Sequence, residues 1–201
     1  MKNVLKRIGK DIWAYISCVI VVTILWSWVF SYLTVIKPEE KVCVFIGSRS
    51  ATFEKYDELE ESKPEYLKKL EVNAYSTNDS MFTMFLSIFG YETGDILILP
   101  ESYVSEDGCA GFYSEISKAY QDEFENLGFY EANGKVYGIK VHDKESRISA
   151  IDCIDYGEGE NEENYYMFFN AKSVHLSDLA GDSEESEMNG AITVARRLLE
   201  L

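Results

Sequence analysis

Twenty-five consecutive residues, Ile12 to Ile36, carry no charged side chain: IWAYISCVIVVTILWSWVFSYLTVI. No other feature limits the fold as strongly. A helix needs about 20 apolar residues to cross the hydrocarbon core of a bilayer. In lipid, only a helix or a closed barrel satisfies every backbone N–H and C=O. The run therefore reads as a transmembrane helix, residues 12–36, with residues to spare for tilt. Trp13, Tyr15, Trp26, Trp28 and Tyr32 lie along it, several near its ends, where interfacial anchoring favours aromatic rings.

Lys2, Lys6, Arg7 and Lys10 precede the run, against one acid, Asp11. The positive-inside rule places this basic segment, residues 1–11, in the cytoplasm and everything after Lys37 outside. An uncleaved anchor fits better than a signal peptide. The apolar run is longer than a signal core, and no A-x-A-like site precedes Pro38. Cys18 sits early in the run, whereas a lipid-modified cysteine closes one. The expected localisation is a single-pass cell-membrane protein with an extracytoplasmic C-terminal domain, in contact with the bilayer through residues 12–36.

Residues 37–201 hold 15 basic and 34 acidic side chains, a net of −19. Nucleic acid and anionic surfaces attract basic patches, so neither is expected to bind this domain. Cys43, Cys109 and Cys153 are an odd number outside the span, which is no disulfide framework. Cys43 and Cys153 sit in apolar runs, where a free cysteine behaves as a small hydrophobe. One bridge using Cys109 stays open.

A short linker, residues 37–40, contains Pro38, which stops the helix. The rest, residues 41–201, fits one domain. KVCVFIG, Lys41–Gly47, and DILIL, Asp95–Leu99, are near-continuous apolar runs, the signature of strands buried on both faces of a parallel sheet. Glu71–Ser76 is a third strand. Helices are expected over Ala51–Lys63, where Phe53, Tyr56 and Leu59 share a face, over Met81–Phe89, ended by Gly90, and over Tyr113–Leu127. Alternating strands and helices argue for a parallel sheet with right-handed crossovers.

After residue 128 the pattern changes. Asn133-Gly134 marks a turn before a strand at Lys135–His142. Arg147–Asp155 and Tyr165–Ala171 read as an antiparallel pair joined by the acidic loop YGEGENEEN. An acidic linker, Gly181–Glu187, leads to a last helix, Met188–Leu201. The expected fold class is α/β: a transmembrane helix, then one three-layer domain with a mainly parallel sheet plus an antiparallel hairpin.

GDILILPESYV, then YEANGKVYGIKVHD, then YYMFFNAKSVHL with a terminal helix, resembles the extracytoplasmic solute-binding proteins of ABC transporters, of the type II periplasmic-binding-protein fold. GKVYGIKV is similar to the GKVYGIPV common in that family, with Lys140 in place of the proline. The resemblance covers residues 41–171 loosely. It implies a bacterial envelope setting and the binding of a small solute or a neighbouring membrane protein. After KVYGIKVH there is room for a hairpin and a helix, so a single lobe is expected. The alternative is a scaffold or interaction protein of the envelope without solute binding.

In open parallel sheets, ligands favour the crevice beyond the carboxyl ends of the strands. Three polar loops fall there, Gly47–Ser50, Tyr75–Ser80 and Pro100–Tyr103. Two precede helices, whose free N–H groups suit an anion, and Arg49 would suit a carboxylate by its planar fork. The candidate ligand-binding residues are Ser48, Arg49, Ser50, Asn78, Ser80, Glu101, Ser102 and Tyr103, to be weighed against helix capping and surface pairing.

Enzyme motifs are missing. There is no G-x-G-x-x-G, P-loop or H-E-x-x-H, and GSRSA at Gly47 has Arg49 where a nucleophile elbow needs serine. His142 and His175 read as surface histidines, and no Cys–His pair is singled out. The acidic loop Asp155–Glu163 lacks EF-hand spacing and reads as solvated. No catalytic residue, metal ligand or cofactor is expected.

Overall fold

Val42 to Ser48 are all buried in strand β1, Lys41–Ser48, because the strand runs through the middle of a sheet with helices on both faces. This is seen in a computed structural model of the chain, which describes residues 2–176 and 190–200. The acidic linker Gly181–Glu187 and Met188 lie outside the described residues. Residues 1–37 and 38–201 form two separate units. The first holds helix α1, Lys2–Thr34. Its stretch Ile12–Thr34, with a mean hydropathy of 2.1, is long and apolar enough to cross a membrane.

In the second unit, β1 pairs in parallel with β2, Lys69–Ser76, and with β3, Ile96–Pro100. β3 then pairs antiparallel with β7, Tyr165–Phe169. β7 pairs antiparallel with β5, Lys135–Asp143, which pairs antiparallel with both β4, Phe129–Ala132, and the two-residue β6, Ile148–Ser149. The order is β2-β1-β3-β7-β5-β4. The expected parallel core is present in β2-β1-β3, and the antiparallel part is larger than one hairpin.

Even and odd positions of each strand feed two cores. Val44, Ile46, Ile96, Ile98, Met167 and Ile139 face one side. They are covered by Leu59 of α2, Tyr56–Glu61, by Tyr120 of α5, Lys118–Glu123, and by Ile192 and Leu198 of α6, Gly190–Leu199. Phe45, Leu97, Leu99 and Phe168 face the other. Their cover is Phe82 of α3, Phe82–Phe85, Leu86 of the π-helical turn that continues it to Gly90, and Cys109 of α4, Cys109–Phe112. Three layers result.

Several elements differ from the sequence reading. The helices expected at Ala51–Lys63 and Tyr113–Leu127 shrink to α2 and α5. The end of the latter is a 3-10 turn, and Tyr113 instead forms a bridge with Asn170. The expected pairing of Arg147–Asp155 with Tyr165–Ala171 does not form. Arg147 takes φ +55° and its N–H donates to the Asp143 carbonyl, a tight turn that leaves room for only two paired residues. Beyond them the chain folds Ile151, Ile154 and Tyr156 into the core as a non-repetitive segment. β4 was unannounced. It pairs through the Asn133-Gly134 turn, whose positive φ values of 53° and 75° suit a tight hairpin. The four cysteines are free.

On the outer strand, Glu71 takes charge-assisted hydrogen bonds from Lys41 (2.8 Å) and Lys69 (3.0 Å). These hold its carboxyl down at about 2 from an ordinary 4.5. A depressed folded value contributes stability above the unfolded value and loses it as pH falls toward the folded one. The melting temperature is therefore expected to decline between pH 4.5 and 2. The Glu71→Gln chain should decline less in that window, measured by circular dichroism. The difference should shrink in molar salt, because the pair is partly exposed.

Candidate functional site

The strands of the parallel half all end on one side of the domain. Ser48 and Ser76 are register partners, and Pro100 ends β3 beside them. Because β7 is antiparallel to β3, its first residue Tyr165 lies opposite Pro100, and His142 near the end of β5 lies opposite Tyr165. Residues 155–164 cross this edge. The acidic loop is therefore a strap over the strand ends, not a solvated hairpin.

Arg49 is the centre of the strap's attachment. Its backbone N–H donates to the Asp155 carbonyl at 2.9 Å. Its Nη2 donates to the Asn161 carbonyl at 2.7 Å and to Glu163 Oε1 at 3.1 Å, and Nη1 donates to Asn78 Oδ1 at 3.2 Å. Glu163 Oε2 accepts the Ser102 N–H at 3.1 Å. The pair is about three-quarters buried, with side-chain exposures of 23% and 22%. Next to it, the Glu101 N–H donates to the Asn164 carbonyl at 2.9 Å, and Asn164 Nδ2 returns a bond to Glu101 Oε2 at 2.8 Å. Gly157 and Gly159 hold positive φ, 89° and 62°. A Cβ at Gly157 would lie 2.9 Å from the Asn161 carbonyl oxygen and 3.3 Å from the Arg49 side chain.

A second anchor lies at β5. Glu162, 8% exposed, is hydrogen-bonded to His142 Nε2 at 3.2 Å, and Ser149 Oγ meets His142 Nδ1 at 2.9 Å. The imidazole stacks on Tyr156 at 4.3 Å, with planes 6° apart. Arg147 Nε is 3.8 Å from the other Glu162 oxygen. Ser, His and Glu in series are the residue types of an acyl-transfer triad. Here Ser149 is the direct cross-strand partner of His142, and the series ties the strap to the sheet. His142 and His175, read as surface residues, are buried at 5% and 1% exposure. His175 Nε2 lies 3.0 Å from the Pro38 carbonyl and 2.8 Å from that of Lys41.

Beneath the strap, Arg49 Nε, Thr77 Oγ1 and Tyr165 OH are buried with no hydrogen-bond partner in the chain. Thr77 is 8% exposed and Tyr165 fully buried. They belong to one neighbourhood. The Thr77 N–H donates to the Ser48 carbonyl at 2.8 Å, and Tyr103 OH donates to the Thr77 carbonyl at 3.3 Å. Burial pushes the Tyr165 phenol up, while the Arg49 charge draws it back and Glu163, Asp155 and Tyr103 act on it as well.

Of the eight candidate residues, Arg49, Glu101 and Ser102 bond to the strap, Asn78 bonds to Arg49, and Tyr103 bonds to the Thr77 carbonyl. Ser48 is buried and its hydroxyl donates to the Ser50 carbonyl, while Ser50 shares a hydrogen bond with Thr52 at 2.7 Å. Ser80 is exposed beside the edge. Thr77, Tyr165 and Glu163 were not singled out. Thr77 lay inside a named loop, but Tyr165 opens an apolar strand, and nothing local marks its hydroxyl as unpaired. Among the described residues no group of three His, Cys, Asp or Glu side chains is placed to hold a metal ion.

No protein-family model matches the chain. No curated protein matches it either. Among solved structures it is similar to an N-glycan transport solute binding protein from Streptococcus pneumoniae in complex with Man1GlcNAc, at 19% identity and a TM-score of 0.35. The same protein in complex with Man5GlcNAc gives 19% identity and a TM-score of 0.33. In both cases the likeness covers 51% of this chain and only 25% of the other, so the chain spans about a quarter of those proteins' length.

Proposed function

We propose that the chain is a membrane-anchored extracytoplasmic binding module, with its site at the edge formed by the loops after β1, β2 and β3 and roofed by the strap. Residues 12–36 serve as the anchor, with residues 1–11 cytoplasmic. The supporting observation is the group of three unpartnered polar atoms, Arg49 Nε, Thr77 Oγ1 and Tyr165 OH. Buried polar groups in folded proteins are nearly always paired, and an unpaired one costs about 1–3 kcal/mol. A small polar solute that supplies partners to these atoms relieves that cost. A few polar atoms placed on a sheet edge are what orient such a ligand.

The test uses the full chain in detergent micelles, screened by thermal shift against amino acids, sugars and small organic acids. A solute of this site raises the melting temperature of the wild type and loses its effect in Tyr165→Phe. A shift that survives both Tyr165→Phe and Thr77→Val would place binding elsewhere. A C-terminal reporter on intact cells should be reachable only from outside, and labelling from the cytoplasmic side would overturn the placement.

One observation favours a second reading as an interaction protein. Met81, Met84, Ile88 and Phe89 are each 40–47% exposed along α3 and its π-helical turn, an apolar strip of the kind that marks protein contacts. Site-specific crosslinking from Ile88 in membranes, with no solute shift in the screen, would support it.

A further inference from the structure

Arg49 and the Ser102 amide together form a receptor for a carboxylate. A planar guanidinium and a backbone N–H grip the two oxygens of one group, Oε1 at 3.1 Å from Arg49 Nη2 and Oε2 at 3.1 Å from Ser102 N. Guanidinium–carboxylate contacts of this kind are among the strong, directional hydrogen bonds of proteins. The group held there is the chain's own Glu163. It comes from the strap, next to Asn164, whose side chain and backbone are fixed to Glu101 and to the Lys144 N–H. The backbone beside Glu163 is therefore pinned, and its side chain reaches back into the site.

Arg49 Nε on the same guanidinium, Tyr165 OH, which feels the Arg49 and Glu163 charges, and Thr77 Oγ1 on the loop after β2 are all without partners. Glu163 uses part of a larger donor set and leaves the rest idle. A ligand made for this edge would use both parts.

We propose that Glu163 is an internal stand-in for a ligand carboxylate, and that the solute taken at this edge is a small carboxylate-bearing molecule that displaces Glu163 from Arg49 and the Ser102 amide. The inference rests on reading the strand edge as a solute site. Exchange of one carboxylate for another keeps the charge of the site constant. A neutral solute that displaced Glu163 would leave the Arg49 charge without its counter-ion in a three-quarters buried position, which is costly. The expelled Glu163 side chain, already partly exposed, is rehydrated. The bound solute's remaining polar groups take Arg49 Nε, Thr77 Oγ1 and Tyr165 OH. Its specificity thus comes from atoms that Glu163 cannot reach, and Glu163 sets the threshold. A tethered group competes at an effective concentration of about millimolar or above, so only a solute that also uses the idle atoms binds well.

The experiment is a titration of the full chain in detergent micelles, by calorimetry, with charged and neutral versions of the same probe: acetate and acetamide, then galacturonate and galactose. Removing the internal competitor with Glu163→Ala should tighten acetate and galacturonate by roughly tenfold or more and leave acetamide and galactose unchanged. Adding Arg49→Ala should abolish the gain. Glu163→Gln keeps the side-chain shape and, if Glu163→Ala folds poorly, carries the same expectation. If neutral and charged probes bind alike and neither Glu163 variant changes their affinity, the carboxylate inference fails and solute binding at the edge stands. If no probe binds the wild type or either folded variant at millimolar concentration, the carboxylate inference falls, and the solute reading is then decided by the wider screen. A carboxylate that binds the wild type as tightly as the variants also overturns the competitor role.

Discussion

A Phe168→Ala chain is expected to lose about 3–5 kcal/mol of stability. Phe168 is fully buried at the centre of the second core. Its ring stacks on Tyr113 at 4.3 Å and meets the edge of Tyr130 at 5.6 Å. The backbone is shaped around it. On β5 its register partner is Gly138, and a Cβ there would lie 2.7 Å from Phe168 Cε1. A glycine opposite a phenylalanine cannot refill the space the ring leaves, so the cavity persists and its cost adds to the lost transfer energy. Urea unfolding of the full chain in micelles, followed by tyrosine fluorescence, should show a lower midpoint at unchanged slope. Ile88→Ala, at 47% exposure, is the control and should move stability by no more than about 0.5–1 kcal/mol. A Phe168→Ala loss as small as the control's would mean that the sheet does not pack as described.

His142→Leu should cost about 3 kcal/mol and loosen the strap. Glu162 is buried, and its other polar neighbour, Arg147, is 75% exposed and 3.8 Å away. Removing the imidazole strips the carboxylate of its close partner and leaves Ser149 unpaired on the same side. Removing one partner from a buried pair is far more costly than replacing both. The double variant His142→Leu/Glu162→Leu should therefore recover part of the loss, and a double-mutant cycle measures the coupling. Protease cleavage between Gly157 and Asn161 should rise in the single variant and fall back in the double. Equal cleavage in all three chains would show that this anchor does not hold the strap. Arg49 holds the strap as well, through the Asp155 and Asn161 carbonyls and Glu163.

The sequence made β1 and β3 legible because each is a short apolar run, and a chain buried on both faces has no choice of residue type; β5 was legible from the Asn133-Gly134 turn before it. The edge after β1, β2 and β3 was legible too, since a polar stretch closes each: Ser48-Arg49-Ser50, Ser76-Thr77-Asn78 and Glu101-Ser102. Arg49, Asn78, Glu101, Ser102 and Tyr103 do lie there. The helices were read too long because apolar spacing at Phe53, Tyr56 and Leu59 continues beyond the residues that complete helical hydrogen bonds. The acidic loop was misread because Glu162 and Glu163 look like the other acids in it. Their partners, His142 and Arg49, are 20 and 114 residues away along the chain.

By itself, then, the sequence determined the apolar helix at the N-terminus, the α/β class, the acidic surface and the polar strand edge. All follow from local composition, through transfer energies and the twofold or 3.6-fold repeat of buried positions. Only the tertiary structure decided that β7 inserts between β3 and β5, so that Tyr165 opens on the same edge as Arg49. It also decided what covers GDILILPESYV at its polar end: the chain's own strap, with Glu163 on Arg49 and on the Ser102 amide. Strand order and long-range pairing depend on which surfaces bury together once the chain has collapsed, and no window of neighbouring residues carries that choice.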